Sequence, residues 1–112
     1  MKDYYDPGFN GTDCYWRYPF GKGFAFTDSV KYFCDTHQAY WVLDVIASYM
    51  PKIGDLDFVV LTFEVNGNEC DFAAKEDDGL PNLVKQHIEY TDLKVSIRLY
   101  LDNGVLMFPS DY

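Results

Sequence analysis

The sequence predicts an α+β domain, with two N-terminal helices packed on one face of a four- to five-stranded antiparallel β-meander. Three observations carry this expectation. Apolar residues recur at the helical period between residues 28 and 50. Beyond residue 58 the chain instead alternates apolar and polar side chains, which is the period of a half-buried strand. Asn66-Gly67 and Asn103-Gly104 punctuate that alternation where tight hairpin turns belong. A chain of 112 residues, 48% of them apolar, can close one core, so residues 1–112 are expected to form a single α+β domain.

The elements follow in order. Residues 1–11 are rich in Tyr, Gly and Asp, and Asp6-Pro7-Gly8 reads as a turn. "TDCYWRY", Thr12 to Tyr18, is rich in β-formers and fits a short edge strand. "PFGKGF", Pro19 to Phe24, reads as a loop through its glycines. Thr27 is placed to cap a helix over 28–36, with Asp28 in the first turn facing the positive helix end. A second helix over 38–49 follows from Ala39, Val42, Leu43, Ile46 and Met50, and Pro51 is expected to end it.

Val59, Leu61, Phe63 and Val65 then alternate with Val60, Thr62 and Glu64. A two-residue turn at Asn66-Gly67 sets Phe63 opposite Cys70, Leu61 opposite Phe72 and Val59 opposite Ala74, all on one face. The same register sets Glu64 opposite Glu69, like charge against like charge on the solvent side. "KEDDGLPN" reads as a loop, and Leu83 to Tyr90 as the next strand. "KVSIRLYL" points Val95, Ile97, Leu99 and Leu101 inward, and Asn103-Gly104 closes a hairpin with Leu101 opposite Leu106.

Charge excludes several classes of function. Eighteen acids against nine bases leave a net charge of −9, which opposes direct contact with nucleic-acid phosphates or an anionic membrane. No stretch reaches the length of a membrane span, and "MKDYYDPGFN" lacks the apolar segment of a signal peptide. Three cysteines, Cys14, Cys34 and Cys70, cannot all pair within one chain, which fits a reducing cytoplasm.

Catalytic patterns are sparse. Cys34-Asp35-Thr36-His37 has a C-x-x-H spacing, but a structural zinc needs four ligands and no second tight pair exists. Cys70 and His87 fail as a nucleophile and base, because alternation points Cys70 inward and His87 outward with Lys85 and Glu89. No phosphate-binding loop, dinucleotide glycine motif or serine elbow is present. No enzyme activity and no cofactor are expected.

The remaining signal is acidic. Asp55, Asp57, Glu64, Glu69, Asp71, Glu76, Asp77 and Asp78 fall in one segment with a single base, Lys75. Outward residues two apart on a strand lie about 6.7 Å apart, a spacing that presents carboxylates to a line of Lys or Arg side chains. These eight acids are the candidate partner-binding residues.

Four stretches also resemble a family. "FNGTDCYWRY", "FTDSVKYFCDTHQAYWVLDVIASY", "IEYTDL" and "GVLMFPSDY" are similar to a small group of uncharacterised proteins scattered through phages, plasmids and integrated elements of bacteria. The most specific pieces are Gly11-Thr12-Asp13, Thr27-Asp28, Ala39-Tyr40-Trp41, Tyr90-Thr91-Asp92 and Pro109-Ser110-Asp111-Tyr112. The chain departs from the pattern at Ser29, where Gly is usual, and at Asp111, where Glu is usual. The resemblance implies no activity and no catalytic residue. It implies a setting in which small acidic proteins often inhibit host defence, CRISPR effectors included, by presenting carboxylates where phosphates would sit. The expected function is therefore an anti-CRISPR-like, non-enzymatic inhibitor that docks on a basic surface of a host protein or ribonucleoprotein defence complex. Self-association as a homodimer is the alternative, and a metal- or thiol-dependent enzyme a weaker one.

Overall fold

A computed structural model of the protein describes residues 4–7, 15–19, 23–77 and 79–112. Two short strands, β1 (Tyr15–Arg17) and β2 (Ala25–Thr27), precede the helices α1 (Asp28–His37) and α2 (Tyr40–Ile53). Five strands follow: β3 (Phe58–Asn66), β4 (Glu69–Lys75), β5 (Val84–Ile88), β6 (Ile97–Asp102) and β7 (Val105–Met107). A 3-10 turn over Pro109–Asp111 comes after them.

The strands form one mixed sheet of seven, in the order β1-β2-β7-β6-β3-β4-β5. β2 runs parallel to β7, and every other pair is antiparallel. This overturns the expected meander of four to five antiparallel strands beneath N-terminal helices. Two strands come before the helices, and β6 pairs with β3 rather than with β5. The physical reasons are local. β1 lies within the edge strand expected over Thr12 to Tyr18, whereas β2, at three residues, is too short to display alternation. Strand order follows apolarity instead of sequence. β3 and β6 bury Val59, Leu61, Phe63, Ile97, Leu99 and Leu101 and take central places. β5, with Lys85 and His87 exposed, takes the edge, where charged side chains discourage pairing with another chain.

α1 and α2 cover the face of the sheet that carries those apolar residues. Val30, Phe33, Val42, Leu43, Ile46, Met50 and Ile53 meet Leu61, Phe63, Phe72, Leu99 and Leu106 in a single buried cluster. Aromatic rings set the spacing within it: Phe63 and Phe72 lie 4.7 Å apart, and Trp41 stands edge-on to Phe63 at 5.9 Å. Pro51 does not end α2, which runs on to Ile53. In the last turn a proline forfeits only its own N–H, and the helix closes through Gly54 N–H donating to the Met50 carbonyl at 2.7 Å.

The first hairpin has a different register from the expected one. Val65 pairs with Cys70, Asn66 with Glu69 and Glu64 with Asp71, so the turn is Gly67-Asn68. Gly67 has φ +60, whereas neither Asn66 nor Asn68 has a positive φ. This is the pattern of a turn that needs glycine at its first central position, not of one that needs left-handed residues at both. The slip is two residues, so the inward and outward faces survive it. In the second hairpin both central residues, Asn103 and Gly104, have positive φ, and Leu101 pairs with Leu106 as expected.

Candidate docking surface

The outer face of the sheet carries three of the eight candidate acids. Strand pairing aligns Glu64, Asp71 and His87 in one row across β3, β4 and β5. The adjacent row reads Arg98, Thr62, Ala73 and Lys85 across β6, β3, β4 and β5. His87 is clasped on both sides: Nδ1 lies 2.7 Å from Asp71 Oδ1 and Nε2 lies 2.8 Å from Glu69 Oε1. Hydrogen bonds to Asp71 first, and then to Glu69, hold its pKa above the usual histidine value. Tyr4 donates to Glu64 at 3.2 Å and packs near the Arg98 guanidinium. A polar groove of about 310 Å³ joins Glu64 and Asp71 to Lys75, Asn82 and Lys85. The hairpin face is consequently mixed in charge rather than a continuous acidic row.

The other acids gather elsewhere. β3 begins, and β4 and β6 end, at the edge of the sheet farthest from the Gly67-Asn68 turn. Asp55 and Asp57 lie in the loop leading into β3, and Glu76 and Asp77 follow β4 directly. Asp102 joins them through its pairing with Phe58, and Asn103 N–H donates to the Asp57 carbonyl at 2.8 Å. Two loops and the last residue of β6 thus bring five acidic residues to one end of the sheet, with Lys75 at its margin. Asp102 was missed in the sequence because it lies far from the acidic segment. Its signal was an acid immediately before the Asn103-Gly104 turn. Asp78, Cys14 and part of the Asp6-Pro7-Gly8 turn lie outside the described residues.

The sulfur and imidazole candidates have structural surroundings. Burial pushes the Cys34 thiol up to about 12 and the Cys70 thiol up to about 11, so both stay protonated at neutral pH. His37 stacks on Phe33 at 4.7 Å and meets the edge of Tyr5 at 5.2 Å. Among the described residues, no three His, Cys, Asp or Glu side chains converge as metal ligands. No helix among them is long and apolar enough to cross a membrane.

A second surface was not visible in the sequence. Tyr18, Pro19, Phe26, Tyr40, Leu43 and Asp44 line an apolar groove of about 360 Å³ between β2 and α2. Tyr18 stacks on Phe24 at 5.2 Å and donates to Asp44 Oδ1 at 2.6 Å, which holds its phenol above the usual tyrosine range. The partners are 26 residues apart in sequence, so only the fold brings them together.

A mixed sheet of seven strands covered by two helices, with acidic and aromatic side chains at its surface, defines a small α+β domain. The chain belongs to a family of unknown function, DUF6876, whose model matches residues 7–112. No curated protein and no solved structure matches it.

Proposed function

We propose that the chain is a non-enzymatic acidic binding protein that docks on a positively charged surface. The single observation supporting this is the rim, where Asp55, Asp57, Glu76 and Asp77 from two loops and Asp102 from the end of β6 share one end of the sheet. Asp55, Asp57, Glu76 and Asp77 are exposed on loops, where a partner can approach them, and Asp102 is half-buried beside them. On the outer face, by contrast, His87, Lys85, Lys75 and Arg98 lie among Glu64, Glu69 and Asp71. The rim is therefore the favoured contact surface and the hairpin a secondary one. The phage and mobile-element setting implied by the family resemblance makes the partner a host defence complex with a basic nucleic-acid channel, and the protein an anti-CRISPR-like inhibitor.

The test compares two charge reversals in a pull-down from bacterial host lysate, washed at two salt concentrations. Reversing Asp55, Asp57, Glu76 and Asp77 to Lys is expected to abolish capture of a basic partner, while reversing Glu64, Glu69 and Asp71 weakens it less. Capture that survives the rim reversal in a folded protein removes the basis of the proposal. Strand β1 favours the alternative of self-association, since Tyr15, Trp16 and Arg17 are all exposed on an edge strand. Sedimentation at micromolar concentration separates the two, because self-association requires a dimer and a charge-driven docking protein does not.

A further inference from the structure

We propose that the groove between β2 and α2 accepts an arginine side chain presented by a protein partner. This deepens the assignment of a basic partner but places a specific contact on a different surface, at the N-terminal half of α2. The argument begins with Lys31. Its ammonium lies 4.9 Å from the Trp16 ring and 5.8 Å from the Tyr40 ring, and donates to Asp35 at 2.7 Å. Tyr40 in turn donates a short hydrogen bond to Asp35. Two aromatic rings and one carboxylate thus hold a cation beside Tyr40.

The groove, which Tyr40 also lines, offers the same chemistry. Tyr18 and Tyr40 form its walls, Phe26 and Leu43 its buried floor, and Asp44 stands exposed at its mouth. Both tyrosines are fixed before any ligand arrives, Tyr18 by Phe24 and Asp44, Tyr40 by Asp35. A volume of about 360 Å³ lies near the lower end of the range of roughly 300–1,000 Å³ typical of ligand pockets, which suits one side chain better than a cofactor. An apolar floor accepts the arginine stem. Aromatic walls accept the flat face of its guanidinium, and the Asp44 carboxylate at the mouth, whose Oδ1 already accepts from Tyr18, accepts its N–H groups. Lysine fits less well, because its compact ammonium is more strongly hydrated and stacks poorly.

The experiment is an NMR titration of the full chain with N-acetyl-arginine methylamide, alongside the corresponding lysine and norleucine derivatives. Saturable shifts at Tyr18, Tyr40 and Asp44 are expected with arginine, weaker ones with lysine and none with norleucine. Asp44→Asn keeps the shape of the mouth and should weaken arginine binding about tenfold, the effect of one charge-assisted contact. Equal response to norleucine, indifference to Asp44→Asn, or shifts confined to other residues would each overturn the proposal. The titration repeated on the rim-reversed protein keeps the two claims apart. Arginine binding that persists there supports the groove whether or not the rim captures a partner.

Discussion

Ser29 and Asp111, the two positions where the chain departs from the pattern it resembles, touch in the folded protein. Asp111 Oδ2 accepts from the Ser29 hydroxyl, from Thr27 Oγ1 at 2.9 Å and from the Phe108 N–H at 3.2 Å. The carboxylate and the serine hydroxyl are direct partners, so changes at the two positions should be coupled. Thr27 and Ser29 are buried, and their hydroxyls lose this acceptor if the carboxylate is removed. Asp111→Ala should therefore cost about 2–4 kcal/mol in urea denaturation. Ser29→Gly with Asp111→Glu should cost less than the sum of the two single changes, which a double-mutant cycle measures. His87 offers a second test at this scale. Its raised pKa means that the clasp by Asp71 and Glu69 contributes fully below the unfolded value of about 6.5 and is lost as pH rises through the folded value. In an NMR titration the His87 pKa should fall toward that ordinary value in Asp71→Asn, and further when Glu69→Gln is added.

Turns decide the elements. Gly67 has φ +60 and open space where a Cβ would stand, so Gly67→Ala meets backbone strain and no clash. The expected loss is about 1 kcal/mol, against a change within about 0.5 kcal/mol for Gly79→Ala, a loop glycine with neither constraint. Thermal unfolding of the two variants checks this. Residues around such turns also mark how far the sequence could be read. The long periodic stretches gave both helices and the inward faces of β3, β4 and β6, since burial dictates their patterns. The Asn66-Gly67 pair pointed to a hairpin, yet register depends on which residue takes the left-handed conformation, and a slip of two preserves every face. β2 was illegible because Ala25, Phe26 and Thr27 have no alternation to read, and their partners, Val105 and Leu106, lie 80 residues away (105 minus 25). Of the candidate acids, sequence proximity grouped all eight, while folding divides those described between the outer face and the rim.

The whole molecule has a core on one side of a sheet, and Phe63 lies near its centre, against Phe72 and Trp41. Phe63→Ala should remove about 3–5 kcal/mol, enough to unfold a domain of ordinary stability. Circular dichroism in denaturant measures the loss directly. Net charge acts at the same scale. At −9 the protein repels anionic surfaces and approaches basic ones, so capture of a partner should fall as salt rises. The parallel seam between β2 and β7 bears on how the protein is made. A ribosome delivers Ala25–Thr27 long before Val105–Met107, the strand beside which they must lie. Until that later stretch emerges, β1 and β2 have no place in the sheet, and the remainder of the fold assembles around a gap. Removing residues 105–111 would thus take away the neighbour of β2 in the sheet and leave β1 and β2 paired only with each other, held to the helices through Trp16–Asp28 and Tyr18–Asp44.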